Sequence, residues 1–146
     1  MDLRLEDFKH SVIITPRFAD TDIMGHVNNA KYVTYLEEAR IQYARDVFDW
    51  NGEASKIGMI LAKTQIDYLL PLHIGNTIQV HTRCSRIGRK SFDLTYVMVL
   101  VKGDRLVASA TTTMVAYDYT REASIMVSDS WRERMIAYEK LTPANQ

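Results

Sequence analysis

Between residues 28 and 49 the apolar positions repeat at helical spacing. Tyr32, Leu36, Ala39, Tyr43 and Val47 fall three or four apart, and Lys31, Thr34, Glu38, Gln42, Arg45 and Asp49 form an opposite polar stripe. Val33, Ile41, Ala44 and Phe48 widen the apolar face, which predicts a helix buried over most of its girth. Asn28 or Asn29 supplies a capping side chain at its start, and Asn51-Gly52 a stop at its end. At roughly 20 residues such a helix is about 30 Å long, enough to lie across a small sheet.

Elsewhere the period is two. Val12, Ile14 and Phe18 predict a first strand before the helix. After it, Ile66, Tyr68 and Leu70 alternate with polar residues until Pro71. Ile78, Val80, Thr82 and Cys84 alternate with Gln79, His81, Arg83 and Ser85. Phe92 to Val101 and Leu106 to Tyr119 complete the strands, turning at Lys102-Gly103-Asp104, and a short helix is expected at Asp129 to Lys140. The order is strand, long helix, then four strands in meander-like succession, the later ones paired antiparallel through short connections. The fold class is therefore α+β: a curved antiparallel sheet of about five strands wrapped around one long central helix. No linker or repeat divides residues 1–146, so a single domain is expected. Val97, Val99 and Val101 face away from Tyr96, Met98 and Leu100, and an apolar outer face of that kind predicts a homodimer or homotetramer.

Composition narrows the partners. The 18 basic residues cancel the 18 acidic ones, so no global positive field recommends nucleic acid or an anionic membrane. The longest uncharged runs fall short of a membrane span. Charges at Asp2, Arg4, Glu6, Asp7 and Lys9 interrupt any signal-peptide apolar region, and one cysteine, Cys84, suits a reducing compartment. A cytoplasmic protein is expected, with Cys84 a core thiol on the apolar face of its strand. His10, His26, His73 and His81 show no metal-ligand spacing, and there is no phosphate loop or G-x-S-x-G elbow. No metal or cofactor is expected.

The chemistry concentrates in RFADTDIMGHVNN, residues 17–29. This loop places the Asp22 carboxylate a few residues before a helix start, where backbone N–H groups are unpaired and the helix dipole is positive. A carboxylate beside such donors can act as nucleophile or general base while the donors hold a developing oxyanion. Asp20 reads as a turn former. Glu37 and Arg40 read as a structural pair on the helix. Arg89, Lys90 and Ser91, close to Arg86, form either a solvated hairpin turn or a basic contact for phosphates.

The stretch DTDIMGHVNNAKYVTYLEEAR, with IDYLLPLHIGNTIQV and GRKSFDLTYVMV downstream, resembles the signature of hot-dog-fold acyl-CoA thioesterases of the 4-hydroxybenzoyl-CoA thioesterase family. The resemblance covers roughly residues 8 to 120. It implies hydrolysis of an acyl-CoA thioester by a homo-oligomer. It also implies that Asp22 is the catalytic carboxylate and that the backbone N–H at Asn29 is the oxyanion donor. The pocket would then lie between this helix and the sheet of a partner subunit, with Arg89, Lys90 and Ser91 meeting the CoA phosphates. HVNN is also similar to the tetrad of plant acyl-carrier-protein thioesterases, where Asp, Asn and His alternate. Here those positions hold Asp22, Met24 and His26, and Met24 cannot do the work of an amide. His26 thus remains a candidate as catalytic base or as hydrogen-bonded loop residue. The rival readings are a carrier-protein thioesterase and a hot-dog protein that binds acyl thioesters without cleaving them.

Overall fold

The computed structural model describes residues 4–140. A first strand, β1 (His10–Ile14), leads through a single 3-10 turn (Phe18–Asp20) to the long helix α1 (Asn29–Val47). Four long strands follow, β2 (Met59–Tyr68), β3 (Ile78–Ile87), β4 (Ser91–Leu100) and β5 (Leu106–Asp118). A two-residue strand β6 (Ala123–Ser124) and helix α2 (Asp129–Glu139) end the described chain. All pairings are antiparallel, and the sheet order is β1-β3-β4-β5-β2, with β6 on β5.

The curled sheet wraps α1 as expected. Ile78, Val80, Thr82 and Cys84 all point inward and are buried, as the period-two pattern of β3 requires. A β-bulge between Cys84 and Arg86 then resets the phase, so that Ile87 is buried too. From α1, Tyr32, Tyr35, Leu36, Ala39, Tyr43, Ala44 and Val47 fill the concave side. Helix α2 closes one end. Ser128 caps it through the Trp131 N–H at 3.1 Å, and Trp131 stacks face to face on Phe48 with ring centres 4.2 Å apart. Phe92 meets both rings edge-on. Cys84 is a buried free thiol, and burial pushes its pKa up to about 12.

Four expectations need correction. The first strand stops at Ile14, because Pro16 has no N–H for a ladder, and Phe18 lies in the 3-10 turn with its side chain exposed. The succession is not a simple meander. β2 lies at the far edge against β5, and residues 69–77 cross the end of the sheet to reach β3. Val97 and Val99 do face outward, but Phe8 of the chain's own N-terminal segment buries both, leaving Val101 exposed. Finally, Glu37 and Arg40 do not pair: Arg40 is buried and Glu37 exposed. Among the described residues no helix is long and apolar enough to cross a membrane.

At the end of α2, Glu139 accepts the Tyr43 hydroxyl at 2.8 Å and the Cys84 N–H at the bulge at 2.7 Å. Burial outweighs these bonds and raises its pKa above the usual 4.5. A raised folded-state pKa makes a contribution to stability that is complete below pH 4.5 and lost as pH rises through the raised value. Chemical denaturation from pH 4 to 8 should therefore show wild-type stability declining relative to Glu139→Gln. Trp131→Ala should cost about 3–5 kcal/mol by the same measurement, since it opens the aromatic stack.

Candidate active site

The Asp22 loop is a miniature hairpin. Thr21 and Val27 face each other across an isolated antiparallel bridge, and the Asp22 N–H donates to the His26 carbonyl at 2.8 Å. The Gly25 N–H returns to the Asp22 carbonyl at 3.0 Å, with Gly25 at φ +77, where a side chain would strain the turn. This tight path leaves Ile23 and Met24 at the tip in solvent.

The turn also orients the Asp22 carboxylate. Its Oδ1 accepts the N–H groups of Met24 at 2.8 Å and His26 at 3.2 Å. Its Oδ2 has no hydrogen-bond partner among the described residues. One oxygen is fixed by the loop, and the other is free of protein partners among the described residues. Asp20, two residues earlier, does purely structural work. It is buried and accepts the Tyr35 hydroxyl at 2.7 Å, the Arg17 N–H at 3.0 Å and the Arg17 guanidinium at 3.2 Å. Burial alone would raise its pKa, but these bonds and the nearby positive charge hold it below the ordinary carboxylate value.

The helix start matches the expectation. The Asn28 N–H donates to the Asp20 carbonyl at 2.9 Å, and the Asn28 side chain caps the Ala30 N–H at 2.9 Å. The Asn29 N–H is left without an acceptor among the described residues, at the positive end of the helix. Asp22, His26 and Asn29 all line one cavity of about 430 Å³.

The other wall of this cavity was not read from the sequence. It comes from the end of β2 and the crossover: Tyr68, Leu69, Leu70 and Pro71. The Tyr68 hydroxyl donates to the Asn29 carbonyl at 3.1 Å, tying the strand to the first turn of α1. Tyr32 lies edge-on to Tyr68, and its oxygen accepts the Leu72 N–H at 3.1 Å. Burial raises the pKa of Tyr32 above that of a free phenol. The Val27 N–H donates to the Leu72 carbonyl at 2.8 Å, and the His26 ring packs edge-on against His73 with centres 4.6 Å apart. Beyond its part in the family resemblance, IDYLLPLHIG carries only an alternating run and a proline stop. Its role depends on where β2 pairs, which that pattern does not specify.

Arg89, Lys90 and Ser91 are not brought to this cavity within one chain. They form the β3–β4 turn, ten residues of strand away from the crossover, or about 33 Å. Ser91 accepts the Arg86 guanidinium at 2.9 Å, and Arg86 is paired with Asp93 at 2.8 Å. The backbone carbonyls of Arg89 and Lys90 hold Val127 and Ala116, while both side chains stay exposed. Among the described residues no group of three or more His, Cys, Asp or Glu side chains is placed to hold a metal ion.

The curled sheet around one helix is the hot-dog fold of thioesterases. The chain belongs to the Thioesterase-like superfamily, whose family model matches residues 16–137. It is 28% identical over 116 residues to the long-chain acyl-CoA thioesterase FadM of Escherichia coli (strain K12), spanning 78% of this chain and 87% of that one. It is 31% identical over 113 residues to a 1,4-dihydroxy-2-naphthoyl-CoA hydrolase of Thermosynechococcus vestitus, spanning 75% of each. Among solved structures it is similar to a Thermus thermophilus thioesterase complexed with coenzyme A and zinc, with a TM-score of 0.84 and 27% identity over 94% of this chain and 98% of that one.

The Gly25 turn carries a direct test. Gly25→Ala should destabilise the protein by about 1–2 kcal/mol, because φ +77 forces its new side chain into the left-handed region. Denaturant titration checks the magnitude.

Proposed function

We propose that the protein is an acyl-CoA thioesterase, releasing a free acid and CoA. The observation that carries this reading is the shared cavity of two complementary groups: the free oxygen of Asp22 and the unpaired N–H of Asn29. The curated relatives and the CoA complex of the similar structure support the same substrate class.

Two courses fit these groups. As nucleophile, Asp22 Oδ2 attacks the thioester carbonyl carbon while the Asn29 N–H donates a hydrogen bond to the charge forming on oxygen. The carbon–sulfur bond breaks, CoA leaves as thiolate, and water hydrolyses the mixed anhydride. As general base, Asp22 takes a proton from a water that attacks the same carbon. Either way the thiolate is a good leaving group and needs no strong acid. His26 contributes through its backbone, which holds Asp22 from both sides, while its ring stands in the cavity wall.

CoA phosphates are assigned to Arg89, Lys90 and Ser91 of a second copy, because one chain keeps them away from its own Asp22. This requires a homo-oligomer. The edge strand β2 favours one: its outer edge is unpaired among the described residues, and Ile60 and Leu61 are exposed. The chain is taken as a single cytoplasmic domain.

Asp22→Asn should lower kcat on acyl-CoA by about 10²–10⁴ while the protein stays folded, as thiol trapping would report. Near wild-type turnover by a folded variant would remove Asp22 from the mechanism. Single turnover in ¹⁸O-water tests the first course: label found in the Asp22 carboxylate marks an anhydride opened at the aspartyl carbon, and a hydroxylamine-trapped acyl adduct on Asp22 marks one opened at the acyl carbon. Comparing one acyl group on CoA and on carrier protein tests the carrier, and tight binding without thiol release would mark a binding protein.

A further inference from the structure

Arg40 lies on the same face of α1 as Asn29, eleven residues or about three turns further along. Only 6% of it is exposed. A guanidinium at that depth ordinarily has a carboxylate against it. Arg40 has none within ion-pairing distance among the described residues. It makes one long hydrogen bond, to the Tyr96 hydroxyl at 3.4 Å, and that hydroxyl is already engaged with Thr112 at 2.7 Å. Most of its five N–H donors are unspent.

The same side chain lines a cavity of about 200 Å³, together with Glu37, Ile41, Met59, Leu61 and Met114. Helix α1 and strand β2 run past both cavities, with Asn29 and Tyr68 at the first and Arg40, Met59 and Leu61 at the second. The Asp22 cavity therefore lies against one end of β2 and the Arg40 cavity against the other. Val33 and Ile41, apolar residues of α1, are only partly covered.

We propose that the Arg40 cavity is a subsite for a carboxylate at the far end of the acyl group, so that the protein favours acyl thioesters with an acidic terminus. The inference rests on the thioesterase reading above. The helix rise puts Arg40 about 16 Å beyond Asn29. Helical side chains lean back toward the N-terminus, which shortens the reach to about 10 Å at least. At about 1.25 Å per methylene, from ordinary carbon–carbon bond lengths, the span suits roughly eight to twelve carbons. Ile41, Met59, Leu61 and Met114 suit the methylenes, and Arg40 supplies the counter-charge. Glu37, exposed at the same cavity, opposes any incoming carboxylate, so Arg40 must outweigh it and the bound acyl chain must supply the rest of the binding.

The test compares kcat/KM for dodecanoyl-CoA and for the mono-CoA thioester of dodecanedioic acid, in wild type and Arg40→Met. The wild type should favour the dicarboxylic substrate at least about tenfold, the size of one lost charge-assisted hydrogen bond. Arg40→Met should bring that ratio to about one. A wild-type ratio near one, or a ratio that Arg40→Met leaves unchanged, overturns the inference. So does millimolar acetate that erases the preference, since the subsite would then belong to free anions. If Arg40→Met does not fold, the wild-type ratio decides alone. If neither thioester is cleaved, the thioesterase reading is what fails. Calorimetric binding of dodecanedioate against dodecanoate then decides: a wild-type preference for the diacid supports the subsite, and equal binding removes it.

Discussion

Asp20 is the point through which strand, loop and helix are joined. Its carboxylate gathers the Arg17 N–H, the Arg17 guanidinium and the Tyr35 hydroxyl, and its carbonyl receives the Asn28 N–H. A buried carboxylate is costly unless such donors surround it. Here they come from both ends of the loop and from the second turn of α1. The loop between residues 20 and 28 can therefore close in only one way, and that closure aims Asp22. The buried aspartate thereby helps set the position of the exposed one two residues on.

The helix and β3 were legible because their signals are local. A face repeating at three and four, with Asn28 before it, specifies α1 wherever the sheet lies. Strict alternation from Ile78 to Cys84 specifies which side of β3 is buried. The turn and cap between Asp22 and Asn29 were legible for the same reason, since their hydrogen bonds are local in sequence. Tyr68 and Leu69 to Pro71 were not, because strand order decides their place. An alternating run carries no mark of its neighbour in the sheet.

Three further residues were misread through their apparent environment. Val97 and Val99 looked like an open apolar face. Their cover is Phe8, a single aromatic in a charged segment, with no periodicity to announce it. Arg40 was read as a structural pair with Glu37 because helical spacing permits one. Its burial follows from three-dimensional position: it falls over Tyr96 and Thr112, where β4 and β5 pass beneath the helix. Helical phase alone places a charge on a face without telling how deep that face lies.

The crossover from β2 to β3 makes floor and framework one object. Leu72 anchors it through Val27 and Tyr32, and β3 begins six residues later. Side chains alternate along a strand, so one inserted residue carried into β3 would turn Ile78, Val80, Thr82 and Cys84 outward. The wall of the cavity can thus vary in which residues it displays far more freely than in how many it has. Descendants of this chain would be expected to change what they accept by exchanging side chains at a fixed length, with gaps and insertions gathering at the far hairpins instead.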